Sequence, residues 1–281
     1  MRIIGADERL AEPRSVKCLI VGPAGVGKTS LLRTVDPPRT LFVDSEAGDL
    51  SVQDVPVDTI RLDDWPTARD LACRIGGSNP SFPPTACYSH AHYEAVGGAL
   101  ENLERYDMIF VDSITAVSRL SFRWAEQQPE AFSERTGKKD TRGAYGLHGR
   151  EMICWLQQLQ HARGKHVIFV GVLEKVVDEF GAATWGLQME GQRTGRELPG
   201  IVDQIITMQW IDFDDGQQPV RAFVCLTPNP WNYLAKDRAG RLEQIEEPHL
   251  GKLIAKLTGP GERKPFLVSP PPEQQTLKAA E

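Results

Sequence analysis

Eight consecutive residues carry the clearest chemistry in the chain. Gly22-Pro23-Ala24-Gly25-Val26-Gly27-Lys28-Thr29 meets G-x-x-x-x-G-K-[ST] at every defined position. Glycines at these places let backbone N–H groups turn inward around a phosphate, and a following helix N-terminus adds partial positive charge. Lys28 is then placed to reach the β- and γ-phosphates, and the Thr29 hydroxyl to ligate Mg²⁺. The segment Gly22–Ser30 is therefore expected to cradle Mg-ATP.

Such a loop needs a strand before it and a helix after it. Val16–Val21 is a short apolar run that suits a buried parallel strand. Lys28–Thr34 opens an expected helix, stopped by Asp36-Pro37-Pro38. Two further apolar runs end in carboxylates, Leu41-Phe-Val-Asp44 and Met108-Ile-Phe-Val-Asp112. Strand C-termini are where parallel sheets place ligand groups, so either aspartate could hold the Mg²⁺ shell.

Glu46, two residues beyond Asp44, separates them. The stretch Leu41–Gly48 resembles the RecA-type strand that carries the catalytic glutamate. That resemblance implies that Glu46 is the general base toward water and that Asp112, followed by Ser113, is the metal-site aspartate. Lys236-Asp-Arg-Ala-Gly240 resembles the Lys-x-Arg element of DnaB-type hexameric helicases. There the two cations reach the γ-phosphate of a neighbouring subunit, so Lys236 and Arg238 are expected to act catalytically in trans.

Taken in order over residues 16–257, the set resembles short RecA-like ATPases common in phages. These include the Sak-type single-strand annealing recombinases and the AAA-labelled phage nucleotide-binding proteins. Asp140-Thr-Arg-Gly-Ala-Tyr-Gly and Arg196-Glu-Leu-Pro-Gly-Ile-Val-Asp203 share in the likeness. It implies ATP-dependent binding of single-stranded DNA in recombination or annealing, a ring or filament of copies, and a single-strand-binding protein as a further partner. One departure stands out. The fourth core strand ends in Val172 and Leu173, where such proteins carry a polar γ-phosphate sensor, and Glu174 is the nearest polar residue.

DNA contact is expected from two loops. Ser121–Arg150 carries Arg123, Arg135, Lys138, Lys139, Arg142 and Arg150, interleaved with Phe122, Trp124, Phe132 and Tyr145. Cations for the backbone and rings for the bases are what single-strand binding uses. Acids at Glu126, Glu130, Glu134 and Asp140 dilute the charge, and a solvated polar face fits the same pattern. Lys175–Arg196 is the second loop, with Lys175, Arg193, Arg196 and Trp185.

The elements that must position these residues alternate, strand with helix, along most of the chain. Helices are expected over Asp64–Ile75, Tyr93–Arg105, Ala116–Gln127 and Thr141–Ala162. Further strands are expected over His166–Val172, Gln204–Ile211 and Val220–Thr227, the last two flanking a turn at Asp214-Asp215-Gly216. The fold class is therefore α/β: a RecA-like P-loop core with a mostly parallel sheet, helices on both faces and a C-terminal antiparallel hairpin. Residues 1–15 are expected to form a leader, 16–258 the ATPase domain and 259–281 a Pro-rich, disordered tail.

Composition narrows the alternatives. A net charge of −6 argues against coating nucleic acid by bulk charge, so any DNA contact must be local. No stretch is long and apolar enough to span a membrane, and the N-terminus has no signal-peptide core, so a cytoplasmic location is expected. The five scattered cysteines suit reduced, buried thiols. Cys73, Cys87, His90 and His92 could be metal ligands, though without the framing of a zinc ribbon. The rival functions are a small-molecule P-loop kinase, which needs an Arg-rich lid, and a DnaB-like translocase or loader, which needs a partner domain.

Overall fold

Three apolar runs are buried along their whole length: β1 (Lys17–Gly22), β2 (Thr40–Asp44) and β4 (Met108–Asp112). Strands wet on neither face must be covered twice, which is the parallel-sheet arrangement. The computed structural model describes residues 3–12, 14–177, 181, 183–212 and 218–260. Among them the sheet also contains β3 (Asp58–Arg61), β5 (His166–Val177), β6 (Ala183–Leu187), β7 (Gln204–Ile211), β8 (Val220–Val224), β9 (Lys236–Asp237) and β10 (Ile245–Glu246).

The strand order is β10-β8-β7-β1-β5-β4-β2-β3, with β6 pairing β5 and β9 pairing β7 off that path. From β7 through β3 the neighbours on this path run parallel. The β7–β8 and β8–β10 pairs run antiparallel. The expected mostly parallel α/β sheet with an antiparallel C-terminal hairpin is thus the observed fold. The turn expected at Asp214–Gly216 lies outside the described residues.

Alternation along β1 divides the core. Leu19 and Val21 face α2 (Trp65–Gly76), α4 (Ile114–Ala125) and α5 (Thr141–Gln160), in a cluster centred on Trp65, Trp155 and Phe169. Cys18 and Ile20 face the opposite side, with Leu31, Leu32, Phe42 and α7 (Leu250–Thr258). The remaining helices are α1 (Ala6–Ala11), α3 (His90–Ala95) and α6 (Gln192–Ile201).

Several expectations change. The segment after the P-loop is a 3₁₀ helix, Thr29–Thr34. Pro37 and Pro38, which lack backbone N–H groups, bar its continuation. The helix expected over Tyr93–Arg105 is broken, because Gly97 and Gly98 take φ of 86° and 73°. Instead of a loop, Lys175–Arg196 holds the end of β5, all of β6 and the start of α6. Cys154 is exposed rather than buried, while Cys18 and Cys225 are buried.

Candidate active site: a phosphate cradle facing three carboxylates

The cradle lies where β1 ends, with β5 on one side and β7 on the other. Gly25 and Gly27 take φ of 78° and 98°, left-handed values that side chains resist. Lys28 Nζ donates to the Gly22 and Pro23 carbonyls at 2.9 Å each. Its ammonium therefore lies over the loop, with carbonyl oxygens where phosphate oxygens would be its acceptors. Burial lowers the Lys28 pKa, partly opposed by Asp112 and Glu46.

Asp112 ends β4 and faces the cradle across β5. The Thr29 hydroxyl donates to Asp112 Oδ2 at 2.5 Å. Burial pushes the Asp112 carboxyl up to about 6, although the Thr29 hydrogen bond pulls the other way. A buried carboxylate short of positive charge beside a hydroxyl is a hard-oxygen pair that suits Mg²⁺. Thr29 and Asp112 fit that ion on donor chemistry.

Asp44 is opposite Asp112 in the β2–β4 register, yet it does different work. It is 2% exposed, and its Oδ1 accepts the backbone N–H groups of Glu46 at 3.0 Å and Gly48 at 3.4 Å. Asp44 therefore closes the turn that carries Glu46. Glu46 Oε1 accepts from the Ser113 hydroxyl. The Ser45 hydroxyl accepts from Ser113 N at 2.9 Å, and Ser45 N donates to the Asp112 carbonyl at 2.9 Å. These bonds lock the ends of β2 and β4 together. The result is a cleft of about 280 Å³ lined by Lys28, Thr29, Ser30, Glu46, Asp112 and Val172, among others.

Lys236 and Arg238 are not brought to this cleft. Strand β9 pairs with β7 at Gln204 and Ile205, the starting end of the parallel strands. Arg238 N donates to the Asp203 carbonyl, and Asp203 N donates to the Lys17 carbonyl. From the level of Lys17 to Gly22 is roughly 16 Å at about 3.3 Å per residue. Lys236 Nζ donates to the Pro199 and Val202 carbonyls, and Arg238 donates to Asp203 Oδ1 at 2.8 Å and the Gly200 carbonyl at 3.2 Å. Their acceptors belong to their own chain, so the cleft gains no charge from them in cis.

The two basic loops do converge in part. Tyr145, His148 and Gly149 of α5 line a cleft of about 950 Å³ with Glu174, Val176, Arg193 and Arg196. Tyr145 is 40% exposed and stacks on Phe122 at 4.4 Å between centroids. Lys138 and Lys139 are exposed but do not line this cleft. Trp185 is half-buried and packs on Tyr233 at 5.3 Å, so it is no free stacking surface. The metal reading of Cys87, His90 and His92 fails as well. His92 Nδ1 accepts from Tyr88 N at 2.9 Å and Nε2 meets Asp70 Oδ1 at 3.0 Å, which commits both ring nitrogens. Among the described residues no three possible ligands cluster, and no helix is long and apolar enough to cross a membrane.

Sequence reasoning missed the turn-closing role of Asp44. The signal was present in Asp44-Ser-Glu-Ala-Gly48, an aspartate able to accept N–H groups two and four residues on. It also missed Arg221, which reaches the cradle from β8 and has no local motif.

Comparison with protein-family models agrees with the geometry. Residues 14–239 match the model of a family described as AAA domain. No curated protein matches. Among solved structures, a KaiC-like protein from the hyperthermophilic archaeon Pyrococcus horikoshii OT3 aligns at 12% identity. The alignment covers 79% of this chain and 84% of that one, with a TM-score of 0.36. With its complete phosphate cradle and facing carboxylates, the chain belongs to the AAA domain family and is a P-loop ATPase of that kind.

Proposed function

We propose that the protein hydrolyses Mg-ATP at the Gly22–Ser30 cradle and uses the cycle to hold single-stranded DNA in the neighbouring cleft. The observation that carries the first half is the meeting of Lys28, Thr29, Asp112 and Glu46 around one cavity. Lys28 neutralises the β- and γ-phosphates, exchanging its two loop carbonyls for phosphate oxygens. Thr29 and Asp112 hold Mg²⁺, which supplies charge neutralisation on the phosphates. Glu46, oriented by Ser113 and by the Asp44 turn, takes the proton of the attacking water.

The second half rests on the larger cleft and its connection to the first. Strand β5 is the connection: Val172 lines the ATP cleft, while Glu174 and Val176 line the other. Val172 N donates to Thr115 Oγ1, and Glu190 N to Ser118 Oγ, so α4 is tied to both. A strand fixed at both clefts can carry a shift without a polar sensor at Val172 or Leu173. Arg193, Arg196 and Tyr145 offer cations and a ring of the kind single-strand binding uses, although Glu174 and Glu190 share the lining and Arg193 pairs with Glu197.

Among the described residues Lys28 is the only cation lining the phosphate cleft. A further cation brought to the γ-phosphate by a neighbouring copy, with assembly into a ring or filament, is part of this reading. The deciding experiment measures phosphate release with and without single-stranded DNA, alongside DNA affinity with and without a non-hydrolysable ATP analogue. DNA affinity should need the nucleotide, fall with salt, and drop in an Arg193→Glu, Arg196→Glu double variant that still binds ATP. Equal DNA affinity in the double variant would remove this cleft from the footprint. Phosphorylation of a small acceptor without DNA affinity would replace the reading with a kinase.

A further inference from the structure

The residues lining the phosphate cleft address phosphate, metal and water, and none of them is aromatic. A nucleoside attached to that phosphate must lie outside the cleft, and the strand order says on which side. Glu46 and Asp112 stand on the β2 and β4 side of the cradle, so the γ-phosphate faces that way. The α-phosphate and nucleoside then leave in the opposite direction, toward β7 and β8.

Two residues on that hairpin are unused by the phosphate chemistry. Trp210 of β7 lies directly opposite Arg221 of β8 in the antiparallel register. The Arg221 guanidinium carbon is 5.4 Å from the indole centroid, within cation–π range. Arg221 Nη1 also donates to the Val26 carbonyl at 3.5 Å. It lies so close to Gly27 that a Cβ there would meet it at 2.5 Å. The cation therefore rests on the wall of the cradle and props the indole beside it. Trp210 is 53% exposed, leaving ring surface open.

We propose that Trp210, propped by Arg221, is the platform on which the base of the bound nucleoside triphosphate stacks. This rests on the phosphate-site reading above. Stacking uses the π-face that every base has, so the platform adds affinity for ATP and GTP alike, and Arg221 acts as the positioning residue.

The test is calorimetric titration of the full chain with Mg²⁺ and two ligands, a non-hydrolysable ATP analogue and inorganic tripolyphosphate. Trp210→Ala should weaken the nucleotide about tenfold or more, the scale of one lost base stack, and leave tripolyphosphate unchanged. Trp210→Phe should recover most of the loss. Trp210 is largely exposed, so its removal empties no core. Equal weakening of both ligands would show a disturbed cradle rather than a base platform and would overturn the proposal, as would unchanged nucleotide affinity. Lys28→Ala is the control on the underlying reading. It should weaken both ligands, and if it weakens neither, the phosphate-site assignment fails before the platform is in question.

Discussion

Replacing Glu46 by Gln separates its chemistry from its structural role. The Glu46 N–H to Asp44 Oδ1 bond is backbone and survives the change, and an amide oxygen can still accept from Ser113 Oγ. The turn should therefore keep its shape and ATP should bind nearly as before. What disappears is basicity, worth ~10²–10⁴ in rate for a positioned general base, or about 3–5 kcal/mol of barrier. Asp44→Asn is the matched control. It keeps an oxygen for the N–H groups of Glu46 and Gly48, while Oδ2 has no hydrogen-bond partner among the described residues. Its effect on turnover should stay below about tenfold, whereas Asp44→Ala strips both backbone bonds, at ~1.5–3 kcal/mol each for bonds to a charged group, and frees the Glu46 turn. Phosphate release at saturating Mg-ATP, with nucleotide affinity measured separately, reads all three variants. Collapse in Asp44→Asn with full turnover in Glu46→Gln would show that the two carboxylates have been assigned the wrong way round.

Three further outcomes are expected. Lys28→Ala should abolish tight Mg-ATP binding in direct titration, since it removes the cation over the phosphates. In the nucleotide- and metal-free protein the Asp112 contribution to stability should fall as pH rises from about 4 to 6, because burial raises its pKa from 3.8 to about 6 and favours its protonated form in the fold. About two units correspond to about 3 kcal/mol, so denaturant melts of Asp112→Asn should lack that slope, and parallel wild-type and variant profiles would contradict the assignment. Finally, if Lys236 or Arg238 works in trans, mixing Arg238→Ala with Lys28→Ala should restore phosphate release at mixed interfaces. No recovery, with a lowered melting midpoint for Arg238→Ala alone, would make the pair structural.

The phosphate cradle and the strands beneath it were legible because their signals are local. Gly22–Thr29 is a contiguous pattern, and the runs ending in Asp44 and Asp112 are apolar throughout. Strand β3 was not legible, since Asp58–Arg61 is an edge strand with largely exposed side chains and no apolar run. Strand β6 and helix α6 hid for a related reason. Gly181, Gly186, Gly191 and Gly195 punctuate the stretch, and Pro199 sits inside the helix, so propensity argues for a loop where pairing with β5 decides otherwise. Arg221 and Trp210 depend on a contact spanning almost two hundred residues, which no window along the chain can contain.

The cations show the same division between local pattern and three-dimensional placement. At the starting end of the parallel strands, Lys17 donates to the Ala162 and Lys165 carbonyls. Lys165 donates to the Leu103 and Tyr106 carbonyls. Lys236 and Arg238 donate to Pro199, Gly200 and Val202. The last set lies at the C-terminal turn of α6, where carbonyls lack helical partners and the dipole favours positive charge. A Lys-x-Arg spacing suits such a cap as well as it suits a neighbour's phosphate. At the opposite end, Asp44, Glu46 and Asp112 gather around Lys28. To reach a second subunit, Arg238 would first have to release Asp203 and the α6 carbonyl, and a charge-assisted bond of that kind is worth ~1.5–3 kcal/mol. A role in trans is therefore open to this pair only where the energy of assembly exceeds the cost of uncapping α6.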